Sequence, residues 1–223
     1  MTVELKKRII TSILLSILLI LMSFYTYILI ASLIIIGIIA WVEFYALISK
    51  IYKKRNYNNI ALRFILKAIS LLYLSFVVCI IIFSKLIESE FYILIIYIIL
   101  TSVMTDIGGL TIGKIFKGKK LTKISPNKTI SGSIGSFIFS LFLIPFFFKF
   151  LSSYVNISFF DIVLITLFIS FISQLGDLFI SLMKRKAKVK NTSDLLPGHG
   201  GILDRIDGII FAVPLGIFLL YLF

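Results

Sequence analysis

The stretch "TYILIASLIIIGIIAWVEFYAL", residues 26–47, holds a single charged side chain, Glu43, in an otherwise apolar run. About 20 mainly apolar residues are what an α-helix needs to cross a bilayer, so this stretch reads as a membrane span. A carboxylate inside it is expensive and needs a reason. Glu43 lies beside Trp41 and is left without an assigned role, a lysine being its simplest partner.

Working outward, six more runs read as spans: 9–23, 66–84, 91–113, 132–150, 158–183 and 205–222. The first is short and joins the second through a tight turn near Phe24–Tyr25, so the two form a helical hairpin. Met1–Arg8 is basic, but the apolar run after it is long and lacks a small-x-small cleavage pattern; it reads as a retained span. The whole chain has 223 residues, 60% of them hydrophobic, with a mean hydropathy of +1.11. So short and apolar a chain cannot hide its side chains in one aqueous core. The expected fold is therefore an all-α polytopic membrane protein with about seven transmembrane helices and a catalytic C-terminal half. The expected organisation is an N-terminal hairpin with a basic loop over 1–64, then a catalytic bundle over 65–223 with cytoplasmic loops 114–131 and 184–204.

Charge tests the count of spans. With the N-terminus inside and the sides alternating, 21 of the 23 basic residues fall on the cytoplasmic side, and only Lys85 and Lys149 fall on the other. Losing or adding a span would scramble that segregation, so the positive-inside rule favours N-in and C-out. The net charge of +13 is thereby explained by topology, with no nucleic-acid partner. The lone Cys79 excludes an intramolecular disulfide and a Cys-based zinc site.

The acidic residues carry the chemistry. Asp106, Asp177, Asp204 and Asp207 lie in or at the cytoplasmic ends of spans, where a cation is the obvious partner. Asp177, Ser181 and Arg185 recur every four residues and share a helix face, with Lys184 nearby. Pro197-Gly198 breaks the chain, and Gly200-Gly201 lets backbone approach a phosphate. Asp204 and Asp207, three apart, point one way at the start of the last helix. Free N–H groups near Leu203–Arg205 would suit an anion, and Lys184, Arg185 and Arg205 suit a polyphosphate. Carboxylates on two helix ends can hold Mg2+, which takes oxygen ligands. In the middle loop, Lys117, Lys119, Lys120, Lys123 and Lys128 surround Ser125-Pro126 as a basic strap, while Gly108, Gly109 and Gly113 give a smooth packing face. These features together describe phosphoryl or nucleotidyl transfer at a membrane surface.

The same residues resemble the signature of the phosphatidate cytidylyltransferases, or CDP-diacylglycerol synthases. Ser181, Lys184-Arg185 and Lys190-Asn191 are followed by "PGHGGILDRID", 197–207, and "ISPNKTISG", 124–132, resembles the family's middle-loop stretch. With Asp106 and Asp177 the resemblance covers 105–208. Asn191 stands where the family pattern has aspartate, and Ser131 where it has glutamate. The resemblance implies an enzyme that moves CMP from CTP to phosphatidate, releasing pyrophosphate, as the first committed step of phospholipid synthesis. It implies Mg2+ on Asp177, Asp204 and Asp207, with room for a second cation, monovalent or divalent. His199 joins Lys184, Arg185 and Arg205 as a catalytic candidate. Asp106, Ser125, Lys128, Ser181, Lys190, Gly198, Gly200 and Gly201 are candidates for substrate binding. A homodimer in the bacterial cytoplasmic (inner) membrane, with the site facing the cytoplasm, is expected. An ion-coupled transporter or another lipid nucleotidyl- or phosphotransferase are the alternatives. A transporter would place its carboxylates near the midplane on broken helices, and the acidic pattern of the CDP-alcohol phosphotransferases is absent.

Overall fold

Each expected span overlaps helix, two of them interrupted, in the computed structural model, which describes residues 3–53, 57–87, 89–122, 125, 128–155, 157–198 and 200–222. The described residues are helical throughout, apart from their connections and two isolated bridges. In chain order they form α1 (Val3–Phe24), α2 (Thr26–Ile51), α3 (Tyr57–Ile87), α4 (Ser89–Phe116), α5 (Ile130–Leu141), α6 (Ile144–Tyr154), α7 (Phe159–Lys186), α8 (Leu203–Ile206) and α9 (Ile209–Leu222). This is an integral membrane protein. Among the described residues four helices, lying in α2, α3, α4 and α7, are long and apolar enough to cross a bilayer, and the bent α5–α6 pair makes five if it counts as one span.

The bend is where the structure departs most from the sequence reading. The run 132–150 is not one straight helix; it turns by 56° between α5 and α6. Two local causes coincide. Phe142 and Leu143 donate to carbonyls only three residues back, tightening the last turn to 3₁₀ geometry. A proline at the start of α6 then has no N–H to continue the ladder. At the other end, 205–222 divides into α8 and α9 at Asp207–Gly208.

The chain forms two compact units. One comprises Met1–Ile82 with Met183–Ile206, and the other Phe83–Leu182 with Asp207–Phe223. In the second unit, small side chains let helices come close, as lipid-embedded helices require in the absence of a hydrophobic drive. A Cβ at Gly108 of α4 would collide with the carbonyl oxygen of Gly135 and come 2.6 Å from the Cβ of Phe139 on α5. A Cβ at Gly216 of α9 would lie 3.0 Å from three carbons of Ile98. Hydroxyls bind α4 to α7: Ser102 to Ser173 at 2.7 Å, Thr105 to Ser170 at 2.8 Å, and Tyr97 to Thr166. Thr101 and Thr105 also donate to the carbonyls one turn back, so these polar atoms are satisfied without water. In the first unit, α1 and α2 pack on each other, with Tyr25 alone between them in the chain. Trp41 on α2 donates its indole N–H to the Lys67 carbonyl on α3 at 3.3 Å.

Candidate active site

The polar residues named from the sequence fall into two clusters, one within each unit. The cluster in the second unit is built on α7. Ser181, one turn beyond Asp177, donates to Asp177 Oδ1 at 3.4 Å, and the Lys128 ammonium pairs with Asp177 Oδ2. Asp207 is buried, at 6% exposure. Its carboxyl lies within electrostatic reach of Asp177 and Asp106 and accepts from the Gly208 N–H at 3.0 Å.

Missing side chains make this meeting possible. A Cβ at Gly176 would lie 2.6 Å from the Asp207 carbonyl oxygen and 2.7 Å from the Phe211 ring. A Cβ at Gly208 would strike Ser173 and come 3.1 Å from the Ser102 hydroxyl. Glycine at both positions lets the chain at 207 lie directly on α7.

Lys128 is set in place by its own loop. Leu121 donates to the Lys128 carbonyl at 2.8 Å, Ile130 to the Lys119 carbonyl at 2.9 Å, and Lys128 N–H to the Ser125 carbonyl at 3.1 Å. The Thr129 hydroxyl caps α5 by accepting from Gly132 N–H at 3.0 Å. Ser131, where the family pattern has glutamate, accepts from the Gly118 N–H at 3.2 Å and so ties the far end of the loop.

One buried side-chain polar atom among the described residues has no partner, Gln174 Nε2. Its Oε1 accepts from the Ser133 hydroxyl at 2.6 Å. Gln174 is three residues before Asp177 and lies on the same face of α7. A buried donor left open beside two carboxylates and a lysine suits a ligand oxygen. No three acidic, His or Cys side chains among the described residues could hold a metal ion by themselves. Asp177 and Asp207 nonetheless fit a cation as a pair. They are two hard oxygen donors held together, and an ammonium already stands on one of them.

The cluster in the first unit centres on Asp204. Lys184 Nζ lies 2.6 Å from its Oδ1. Its Oδ2 accepts from Thr192 N–H at 2.9 Å and Gly201 N–H at 3.1 Å, with the Thr192 hydroxyl oxygen 3.0 Å away. Burial by itself would raise the Asp204 carboxyl, but the Lys184 hydrogen bond, the Thr192 and Gly201 N–H groups and the Lys184 charge outweigh it and hold it below its ordinary 3.8. The ionised carboxylate therefore stabilises this loop at any pH above that ordinary value, and the contribution is lost as acid takes pH down through the lowered one. Asp204→Asn should lower the thermal midpoint at pH 7 by roughly 2–4 °C. Melting curves of the two proteins should converge as pH falls below the lowered value of the Asp204 carboxyl, and a gap that stays constant as acid is added would detach the effect from ionisation.

Between Thr192 and Leu203 the chain makes the glycine turn. Gly198 and Gly200 take φ of +78° and +84°, the left-handed region that favours glycine. Leu196 and Gly200 exchange both backbone hydrogen bonds, at 2.9 and 3.1 Å, and the Thr11 hydroxyl of α1 donates to the Pro197 carbonyl at 3.0 Å. Arg185, Lys190 and Arg205 are exposed around this loop, and Asn191 packs within 3.3 Å of where a Gly200 Cβ would stand. His199 lies outside the described residues.

One expectation is corrected here. The N–H groups at the start of α8 are not open to a phosphate: Ile202 and Leu203 donate to Glu43 at 3.0 and 2.9 Å, and Gly201 donates to Asp204. Glu43, Thr192, Ser193 and Thr11 were missed as contributors. The signal available for Glu43 was its cost, a carboxylate in an apolar span.

A membrane-embedded helical protein with paired acidic and basic side chains and a glycine loop is the class that the fold defines. More specifically, the chain belongs to the cytidylyltransferase family, whose profile matches residues 3–223. It is similar to the phosphatidate cytidylyltransferase of Bacillus subtilis (strain 168), with 45% identity over 120 residues, 53% of this chain and 44% of that protein. Those of Staphylococcus haemolyticus and Staphylococcus saprophyticus are 43% and 42% identical over 122 and 113 residues, covering 54% and 50% of this chain and 46% and 43% of those proteins. The matched regions span less than half the length of these curated relatives.

Proposed function

We propose that this protein transfers CMP from CTP to phosphatidate, giving CDP-diacylglycerol and pyrophosphate. The observation that carries the reading is the pairing of buried Asp207 with half-buried Asp177, with Lys128 against the latter, in a chain of the cytidylyltransferase family. A phosphatidate oxygen attacks the α-phosphorus of CTP in line, the bond from that phosphorus to the bridging oxygen breaks, and pyrophosphate departs with the electron pair. The attacking phosphate is already ionised near neutral pH, so no strong general base is needed. The protein's task is positioning and charge compensation.

Asp177 and Asp207 are the residues assigned to Mg2+, with phosphates and water supplying further oxygens. Bound there, Mg2+ or a pair of cations supplies charge neutralisation for the phosphates. Asp204 is assigned to shaping the glycine loop, since both its oxygens are engaged by the protein itself. Lys128, once exchanged off Asp177, holds a substrate phosphate with Ser125, Ser181 and the open amide of Gln174. Lys184, Arg185, Arg205 and Lys190 neutralise phosphate charge. Gly198, Gly200 and Gly201 give backbone access, and His199 orients the leaving group. Seven spans with N-in and C-out topology, a cytoplasm-facing site in the bacterial inner membrane and a homodimer complete the reading; the segregation of 21 basic residues from two supports the orientation.

The test is direct. Detergent-purified protein given CTP, phosphatidate and Mg2+ should release pyrophosphate and form a cytidine-labelled lipid. ATP, GTP or UTP in place of CTP should give little. Pyrophosphate release without phosphatidate, or none with every nucleotide tried, sinks the reading. An ion-coupled transporter would show no substrate-stimulated pyrophosphate at all.

A further inference from the structure

We infer that Glu43, a residue of the N-terminal hairpin, is the positioning residue that fixes the glycine loop in its working shape; this rests on the transferase reading above. Glu43 is 4% exposed on α2. Its Oε1 accepts from the Ser193 hydroxyl at 2.6 Å and Ile202 N–H at 3.0 Å. Its Oε2 accepts from the Thr192 hydroxyl at 2.7 Å and Leu203 N–H at 2.9 Å. A carboxylate offers about four lone-pair sites, and here a donor faces each. Two donors come from the entrance of the loop and two from its exit. One side chain therefore pins both ends of the segment that carries Gly198 and Gly200.

Gly201 gives an independent sign of how closely this latch is built. A Cβ there would come 2.5 and 2.7 Å from the two Glu43 oxygens and would strike the Thr192 hydroxyl. The glycine is needed because the carboxylate sits where a side chain would go. With its acceptor sites filled by the protein, Glu43 is a poor candidate for holding a metal or substrate. Its effect passes through the loop, and a loop displaced by about 1 Å can cost a hundredfold in rate. Glutamine keeps the shape but turns an N–H₂ group toward one entrance hydroxyl and one exit N–H, so either Ile202 or Leu203 loses its acceptor.

The experiment pairs hydrogen exchange with steady-state kinetics on the full chain. In Glu43→Gln, the amides of Ile202 and Leu203 should exchange at least roughly tenfold faster, while those of α2 and α4 stay protected. The ratio kcat/KM for CTP should fall roughly ten- to a hundredfold, mainly through KM, with KM for phosphatidate little changed. Ser193→Ala removes one of the four donors to the carboxylate and should move both readouts the same way by roughly threefold, so the inference stays testable if the first variant inserts poorly. Unchanged exchange at 202 and 203 in Glu43→Gln, or equal loss of protection through α2 and α4, overturns the inference. If the unsubstituted protein shows no cytidylyl transfer, the transferase reading fails, and the exchange data alone still decide whether Glu43 latches the loop.

Discussion

Asp207→Asn should reduce CTP-dependent pyrophosphate release by roughly a hundred- to a thousandfold while leaving the protein as stable as before, or more so. The two signs differ for a physical reason. Asp207 is buried beside Asp177, within reach of the charge on Asp106. Like charges at such a place repel and are costly to desolvate. An amide removes the repulsion and can still accept the hydrogen bond from Gly208 N–H. It gives up the anionic oxygen that a divalent cation requires. Activity and folding thus separate, as expected of a site that keeps strain for function. The measurement is a thermal midpoint beside a pyrophosphate assay across Mg2+ concentrations. A variant that melts earlier and stays active would remove Asp207 from the site and make it a structural residue.

Gly108→Ala is expected to destabilise the bundle by about 2–3 kcal/mol, although alanine is favoured over glycine within a helix by about 1 kcal/mol. The contact decides the sign. A Cβ at 108 runs into the carbonyl oxygen of Gly135, with the Gly135 carbonyl carbon 2.9 Å and the Phe139 Cβ 2.6 Å away. These are backbone and near-backbone atoms, so a rotamer change cannot relieve the collision, and α4 and α5 must move apart. The neighbouring Gly109→Ala serves as the control. Its Cβ would crowd the Ser136 hydroxyl, at 2.8 Å, the end of a side chain that can rotate, and would make an ordinary 3.8 Å contact with the Gly132 carbonyl oxygen. Its effect should be much smaller, with loss of the 2.7 Å bond from Ser136 to the Thr105 carbonyl as its main part. Thermal midpoints of the two variants in one detergent settle the matter; equal loss would mean that propensity or insertion, not close approach, governs this face.

Much of the helical layout was legible because a bilayer imposes a simple code. Every backbone polar group must be satisfied within its own segment, so runs of apolar residues mark helices directly, and the runs at 26–47, 66–84 and 91–113 lie within α2, α3 and α4. The break at Leu143 was not legible from hydropathy, because an apolar run looks the same straight or bent. Only Pro145 hinted at it. Asp177 and Asp207 could be named from their cost in an apolar setting and from the family resemblance. Glu43 stood out by the same cost, yet its partners could not be guessed, since Thr192 and Leu203 lie 149 and 160 residues away in the chain.

The amino-acid sequence alone determined that this is a membrane-embedded helical protein and which few polar residues had to justify their burial. Helical periodicity reports the face of a residue's own helix, and it carries no information about which other helix that face will meet. Tertiary packing decided the rest. Glycines 176 and 208 removed the bulk that would have kept Asp207 off α7. Glu43 took the loop N–H groups that the sequence had offered to a phosphate. Close approach of backbones sets these pairings, and it depends on atoms that are missing from particular side chains far apart in the chain.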